Sequence, residues 1–287
     1  KVQLNNLLAV EYLNLGFAGM VTINGTGSVD MLVALGTDGS DRIDVDFTAA
    51  NAIDVDLTSS LGLHVDLLST SVESYEIRGL EGDDDINIQA AVDASGSFAV
   101  FGGGPSTGSD TLNLTGAAGT AEAVVIRPDA GQADDQDVLG LGATIDVTGI
   151  ELITLTGQVA DLDTLDVQLG DGDNVARVAR GSDVGGANAD LVTSNSLPNI
   201  QLTGLNGLTV TGGTGGDVVT FATWFLAGAT NANYRFVSGA TDTLVIEGVD
   251  GALGGDDDLT VTLPGAGNVA VTDGNGSLDT VARESLE

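Results

Sequence analysis

The chain contains no cysteine, a single histidine, and only 8 lysines and arginines among its 287 residues. Without cysteine it can form neither disulfides, a thiolate nucleophile nor a cysteine-ligated zinc site. His64 is the only imidazole, and aromatic residues make up 4% of the chain, which leaves few platforms on which bases or sugars can stack. These shortages remove most catalytic machinery, and we expect a protein that is not an enzyme.

Basic charge is scarce relative to acidic charge. The 42 aspartates and glutamates give a formal net charge of −34, so the chain should repel nucleic acid and anionic lipid and attract cations. No stretch approaches the roughly 20 apolar residues of a membrane-spanning helix, and we expect no membrane insertion. Millimolar calcium outside cells would screen this charge, which favours an extracellular or cell-surface location.

The sequence that is present has the pattern of β-strands. Polar and apolar residues alternate along 42–47, and similar runs follow at ten-residue spacing in 53–57 and 63–67. The 42 glycines fall mainly between such runs, where they mark turns. A hydrophobic content of 42% is enough to fill a core. We therefore predict an all-β protein.

The three runs also predict a polar face. Asp46, Asp56 and Asp66 would form an acidic column if the strands are neighbours, and a solvated face is the simpler interpretation of such a column. His64 belongs to the polar side of its strand, so we expect it at the surface and not as a general base.

Internal repetition appears when strands that end in glycine are aligned. Four such strands end at Gly25, Gly79, Gly157 and Gly212, and the paired unit recurs after 132 residues (25 to 157) and 133 residues (79 to 212). This spacing predicts a duplication. The predicted parts are 1–24 as the end of a preceding unit or a docking strand, 25–156 as the first β repeat pair, and 157–287 as a second pair that is truncated at its end.

Glycine–aspartate turns carry the candidate chemistry. Residues 212–220 match the nonapeptide G-G-x-G-x-D-x-U-x, and weaker copies occupy 36–44, 79–87 and 252–260. Three adjacent carboxylates in two of these copies would repel one another without a cation. The sequence therefore predicts calcium (Ca2+) ligands among the aspartates of these turns and of the matching strand starts. The candidates are Asp38, Asp41, Asp83, Asp84, Asp85, Asp110, Asp217, Asp242, Asp256, Asp257 and Asp258.

On these motifs the chain resembles the hemolysin-type (RTX-like) calcium-binding repeat proteins and the large repetitive bacterial adhesins. The resemblance implies a bacterial, extracellular protein that binds calcium and folds as a parallel β-roll. We accordingly expect a β-solenoid, of the β-helix or β-roll kind, with internal duplication. A tandem β-sandwich is the alternative, because a meander of hairpins has the same strand spacing.

Two classes of function stay open. The first is a structural or adhesive repeat module, stabilised by calcium, that assembles with identical subunits or further repeats into a fibre, stalk or surface layer. A cell surface or polysaccharide is a further candidate partner. The second is a carbohydrate-active β-helix enzyme of the lyase or epimerase type, or its calcium-binding accessory module. A groove with arginine beside clustered aspartates and aromatic rings would favour the second.

Overall fold

A computed structural model shows that the chain is built from β-strands, which confirms the all-β prediction. The structure describes residues 2–4, 20–27, 29–62, 64–89, 94–105, 110–130, 135–182, 188–222, 233–237, 242–246, 260–262, 268–272 and 278–284. Within these ranges a single 3₁₀ turn, Val159–Asp161, is the only helical element. None of the described segments forms a helix long and apolar enough to cross a membrane.

Short strands follow one another along the whole described chain. In chain order they are β1 Val2–Leu4, β2 Met20–Asn24, β3 Met31–Leu35, β4 Asp41–Ala49, β5 Ala52–Ser59, β6 His64–Thr70, β7 Ser74–Gly82, β8 Asp85–Gln89, β9 Phe98–Pro105, β10 Thr111–Thr115, β11 Ala123–Pro128, β12 Asp135–Leu139, β13 Ile145–Thr148, β14 Leu152–Thr156, β15 Thr164–Gln168, β16 Val175–Ser182, β17 Asn188–Ser194, β18 Asn199–Thr203, β19 Gly207–Thr211, β20 Val218–Ala222, β21 Asn233–Val237, β22 Thr243–Ile246, β23 Thr260–Thr262, β24 Asn268–Thr272 and β25 Leu278–Glu284.

The chain divides into two compact units. Unit 1 comprises Lys1–Ala118 and Asp129–Thr154, and unit 2 comprises Gly119–Pro128 and Leu155–Glu287. The predicted boundary at Gly157 lies close to the boundary at residues 154 and 155. Residues 119–128 belong to unit 2 although they lie between two segments of unit 1, and the sequence did not predict this. The predicted duplication stays a prediction.

Unit 1 contains strands of two sheets. In the first, β3, β7, β9 and β13 are parallel neighbours, with β1 and β12 antiparallel at the two ends. In the second, β4, β8 and β10 are parallel, and β4 continues through the antiparallel strands β5 and β6 to β2, which is parallel to β6. In unit 1, consecutive strands pair with each other in the β4–β6 meander and between β12 and β13. The parallel pairs join strands that are not consecutive in the chain.

Unit 2 has the same two kinds of sheet. In the first, β11, β15, β19, β21 and β25 are parallel neighbours, followed by antiparallel β24 and β23. In the second, β16, β20 and β22 are parallel, and β16 continues through antiparallel β17 to β18. A meander and a parallel column again share one strand.

The core of unit 1 follows from strict alternation along the strands. In β8, Ile86 and Ile88 are buried, whereas the polar residues between and beside them are not. Phe47 of β4 contacts Tyr75 of β7 and Phe98 of β9, with ring centroids 5.8 and 5.6 Å apart. These aromatic contacts show that the two sheets of unit 1 face each other across a shared apolar interior.

Candidate functional site

Each of the three candidate turns that the structure describes contains an aspartate that stands at or directly before the start of a strand. In the turn from Gly36 to Asp41, the backbone N–H of Thr37 donates to Oδ2 of Asp41, and the Thr37 hydroxyl donates to Oδ1 at 3.1 Å. In the turn that ends at Asp30, the N–H of Thr26 donates to Oδ2 of Asp30 at 2.5 Å. The aspartate therefore closes its own turn, in the way that short acidic side chains commonly do.

The same acids connect neighbouring strands of unit 1. The N–H of Asp41 donates to Oδ1 of Asp84 at 2.8 Å, and the N–H of Asp84 donates to Oδ1 of Asp110 at 2.8 Å. The N–H of Asp110 then donates to Oε2 of Glu151 at 2.7 Å. We call the residues joined in this way the carboxylate ladder. Hydrogen bonds to an ionised acceptor are the stronger kind, so the ladder fixes the register of the parallel strands.

Unit 2 carries a carboxylate ladder at the corresponding strand starts. The N–H of Asn174 donates to Oδ1 of Asp217 at 2.9 Å, and the N–H of Asp217 donates to Oδ1 of Asp242 at 2.9 Å. The first two ladder residues are 43 positions apart in both units, Asp41 with Asp84 and Asn174 with Asp217. The first residue of the ladder differs in its chemistry, because Asn174 of unit 2 has a side-chain amide where Asp41 of unit 1 has a carboxylate.

Two ladder carboxylates keep one oxygen without a partner. Asp84 is 1% exposed and Asp217 is fully buried, and the Oδ2 atom of each has no hydrogen-bond partner. A buried carboxylate oxygen without a donor is costly, since it has lost its hydration and gained nothing in return. Such an atom calls for a neutralising species, either a proton or a cation.

A glycine lies beside each of the two orphaned oxygens. A Cβ on Gly79 would come closer than 3.0 Å to Oδ2 of Asp84 and to the carbonyl oxygen of Gly102. A Cβ on Gly212 would lie 2.7 Å from Oδ2 of Asp217 and 2.8 Å from Oδ2 of Asp242. At each glycine, two oxygen atoms crowd the position that a Cβ would occupy, and we call this arrangement a glycine cradle.

Electrostatics make the ladder of unit 1 unfavourable when it is fully ionised. Burial raises the pKa of Asp84 to about 7, and the neighbouring carboxylates of Asp110, Asp41 and Asp83 add to the rise, against the lowering effect of the hydrogen bond from the Asp41 N–H. Burial also raises the pKa of Asp110, helped by the charge of Glu151. A cation near Asp84 would remove this penalty.

The predicted calcium ligands occupy several different environments. Asp41, Asp84, Asp110, Asp217 and Asp242 are ladder residues. Asp38 and Asp83 are exposed at turns, and Asp85 lies on the outer face of β8, where it accepts a hydrogen bond from Asn113. Asp83, Asp84 and Asp85 thus diverge instead of converging on one point. Asp256, Asp257 and Asp258 lie outside the described residues.

A calcium ion has only a partial set of ligands at the orphaned oxygens. In the part of the chain that the structure describes, no three acidic or imidazole side chains cluster closely enough to form a metal site. Calcium also accepts backbone carbonyl oxygens and water as ligands. The orphaned Oδ2 atoms, beside the carbonyl of Gly102 in unit 1 and the carboxylate of Asp242 in unit 2, are compatible with that chemistry.

Sequence reasoning missed several residues that act like ladder members. Glu73 accepts the N–H of Asp30 at 2.8 Å, and Asp163 accepts the N–H of Glu122 at 2.9 Å. Glu151 and Asn174 were also missed. The signal that identifies them is position, because each stands directly before an alternating strand and not within a glycine-rich nonapeptide.

The polar face of the β4–β6 meander forms a second acidic surface. Asp46 lies opposite Asp54, and Asp56 lies opposite Asp66. Burial raises the pKa of Asp54 to about 6, and its hydrogen bond with Asp66 and the charges of Asp66, Asp46 and Asp56 raise it further. His64 is half-buried, with Nδ1 2.9 Å from Oδ1 of Asp56 and 3.2 Å from the Thr58 hydroxyl. The outer face of this meander is therefore an acidic surface on one side of a sheet.

No protein-family model matches the chain, and no curated protein is significantly similar to it. The features of this chain that bear on its function are the carboxylate ladder, the glycine cradles and the net negative charge.

Proposed function

We propose that the chain is an extracellular structural repeat module of a bacterial surface or matrix protein, and that it has no catalytic role. The observation that supports this most is the carboxylate ladder, which repeats in both units and joins strands across 43 residues of sequence. A ladder of this kind serves the regular stacking of strands. It holds the starts of neighbouring parallel strands together and presents no reacting group to a substrate.

A β-solenoid is the architecture we propose for this module. In unit 1 the chain passes repeatedly from the first sheet to the second, through β3 and β4, β7 and β8, and β9 and β10, and each strand pairs in parallel with its predecessor in the same sheet. Coiling of the chain produces this order. The alternative, a tandem β-sandwich, is built from hairpins and would pair consecutive strands in antiparallel fashion throughout.

Calcium is the cation we propose for stabilising the module. The formal charge of −34 and the buried ladder acids both oppose folding and association unless positive charge accompanies them. Secretion into a calcium-rich medium would supply that charge. The same ions would allow identical, strongly acidic subunits to approach one another.

The experiment for this proposal is static light scattering of the purified chain across calcium concentration. We expect the mass to grow with calcium and to fall back when a chelator is added, because neutralised subunits can stack through strand edges. A chain that stays monomeric at every calcium concentration would argue against an assembling module.

A carbohydrate-active enzyme is the second candidate, and one cluster favours it. The Arg78 guanidinium lies 4.5 Å from the centre of the Phe101 ring and pairs with Glu76, a combination of cation, aromatic ring and carboxylate that sugar sites use. Incubation with acidic polysaccharides tests it. Shortened polysaccharide chains or new unsaturated sugar ends would support the enzyme hypothesis, provided that an Arg78→Ala variant does not produce them.

A further inference from the structure

Two pairs of parallel strands occupy equivalent places in the two units. Strands β4 and β8 of unit 1 pair in the same register as β16 and β20 of unit 2, and each paired position in unit 1 has its counterpart 133 residues later in unit 2. Arg42 lies opposite Asp85, for example, as Val175 lies opposite Val218. The side chains that point outward from the two strand pairs can therefore be compared position by position.

The inward positions of these strands keep their chemistry in both units, whereas the outward positions change. Inward residues are buried and apolar in each pair, as at Ile43 and Val178. The outward residues of unit 1 are charged or carry amides, and they are Arg42, Asp44, Asp46, Asp85, Asn87 and Gln89. Those of unit 2 are mostly apolar, and they are Val175, Arg177, Ala179, Val218, Thr220 and Ala222. We call the second set the arginine face.

The arginine face has the composition of a protein interface. An outer sheet face in water usually carries polar residues, yet four of these six are apolar and Val175 is 59% exposed. None of the six is acidic, although the chain has 42 acidic residues and 8 lysines and arginines. Arg177 is exposed among them. Loss of acidic residues around a central arginine distinguishes the middle of an interface from the rest of a surface.

The acidic surface of the β4–β6 meander is the electrostatic complement of the arginine face. Two copies of the arginine face would bring Arg177 against Arg177, and two copies of the acidic surface would bring carboxylates together. Only the combination of one with the other pairs opposite charges. Both are outer faces of sheets, which can pack against each other with their side chains between them.

The acidic surface offers Asp46 as the counterpart of Arg177. Asp44 already pairs with Arg42 at 2.9 Å, and Asp56 lies 2.9 Å from the His64 ring. Asp46 is exposed at the same level of the sheet. A carboxylate in this position can accept an arginine from outside without first breaking an ion pair with Arg42 or His64.

We propose that assembly depends on docking of the arginine face of one copy onto the acidic surface of a second copy, with Arg177 against Asp46. This inference rests on the proposed self-assembling module and deepens it, because it places the contact between sheet faces instead of strand edges. The two faces differ, so the contact is heterologous and each copy keeps one face for a further copy. Calcium lowers the overall repulsion between copies, and the faces determine which surfaces meet.

Light scattering of charge-reversal variants in calcium tests the docking on the full chain. Arg177→Asp and Asp46→Arg should each weaken association about tenfold or more, because each sets like charges against each other. The double variant Asp46→Arg/Arg177→Asp has the net charge of the unmodified chain and should regain assembly. Arg127→Asp is the matched control, since it reverses an exposed arginine on β11, away from both faces, and should assemble as the unmodified chain does.

Cross-linking provides a second measurement that leaves Arg177 and Asp46 intact. The chain has no cysteine, so Val175→Cys and Gln89→Cys each introduce a single thiol, one on the arginine face and one beside Asp46 on β8. A short bis-maleimide should join the two variants when they are mixed in calcium, and should join neither variant to itself. No cross-link in the mixture, or a cross-link between two Val175→Cys chains, would overturn the docking.

The outcomes separate this inference from the module on which it rests. Arg177→Asp that assembles like the unmodified chain would show that strand edges suffice, which would overturn the docking and leave the module in place. An equal loss of assembly in Arg127→Asp would assign the effect to net charge and would overturn the docking too. An unmodified chain that does not assemble in calcium would overturn both.

Discussion

Each unit contains a carboxylate ladder, and the two units differ in the outer surface beside it. Both begin their ladder at the strand that also starts a meander, β4 in unit 1 and β16 in unit 2. The outward residues of β4 include Asp44 and Asp46, whereas those of β16 are Val175, Arg177 and Ala179. The ladder and its glycines are thus retained where the faces diverge. This contrast indicates that strand starts specify the fold and that outer faces are free to specialise.

The largest effect should come from filling a glycine cradle. Gly79→Ala would push a Cβ into the carbonyl oxygen of Gly102 and the Asp84 carboxylate, and we expect a loss of about 3 kcal/mol in the free energy of unfolding. Gly39→Ala is the control, because its Cβ would meet the hydroxyls of Ser60 and Thr37 at 3.4 and 4.0 Å, which are ordinary contact distances. Denaturant unfolding measures both.

The corresponding substitution in unit 2, Gly212→Ala, should have an intermediate effect on stability. In Gly212→Ala the new Cβ would meet side-chain atoms, the nearest being carboxylate oxygens at 2.7 and 2.8 Å, and side chains can move more easily than a backbone carbonyl. Its cost should therefore lie between those of Gly79→Ala and Gly39→Ala. Equal costs for all three glycines would show that the cradles do not constrain the fold.

A smaller effect should follow from exchanging the first residue of each ladder, which is Asp41 in unit 1 and Asn174 in unit 2. Asn174→Asp removes the amide donors to Gly170 and Gly172 and places a carboxylate beside Asp217, so we expect a loss of about 2 kcal/mol without calcium. Asp41→Asn in unit 1 replaces one of the two carboxylate oxygens that accept from Thr37 with an NH2 group, at a cost of about 1 kcal/mol. Urea unfolding in EDTA should show this order, and the reverse order would contradict it.

The smallest effect concerns the acidic face of the β4–β6 meander in unit 1. Because the pKa of Asp54 is raised to about 6 in the folded chain, its protonated form stabilises unit 1 at low pH. That stability should be lost as pH rises from about 4 to about 6, by about 1 kcal/mol after screening by solvent. In Asp54→Asn the loss of unfolding free energy across this pH range should be smaller. An unchanged dependence of stability on pH would show that other groups cause the loss.

Strands could be predicted from the sequence because their signal is local. Alternation in residues 42–47, 53–57 and 63–67 predicted strands where the structure has β4, β5 and β6. Pairing was harder to predict, since β4 contacts β8 in parallel across 43 residues while it contacts β5 through a hairpin. Nothing in the β4 sequence states that one of its edges pairs locally and the other at long range.

The candidate site was predicted only in part, for a reason visible at residues 83–85. Adjacent carboxylates look like a cluster in a sequence, but a strand sends successive side chains to opposite faces. Asp84 points into the ladder and Asp85 away from it. The orphaned oxygens depended on the path of the turn backbone, which identical Gly-x-x-Gly-x-Asp patterns at Asp41 and Asp84 conceal.

We propose that a cation completes this fold, and thermal unfolding of the unmodified chain is the decisive experiment. The Tm should be measured in EDTA and in millimolar calcium at one pH and one ionic strength, with magnesium as the ionic control. Binding to the folded state adds about 2.7 kcal/mol at a calcium concentration one hundred times the Kd, so we predict a clearly higher Tm in calcium. The same Tm in all three solutions would contradict the account.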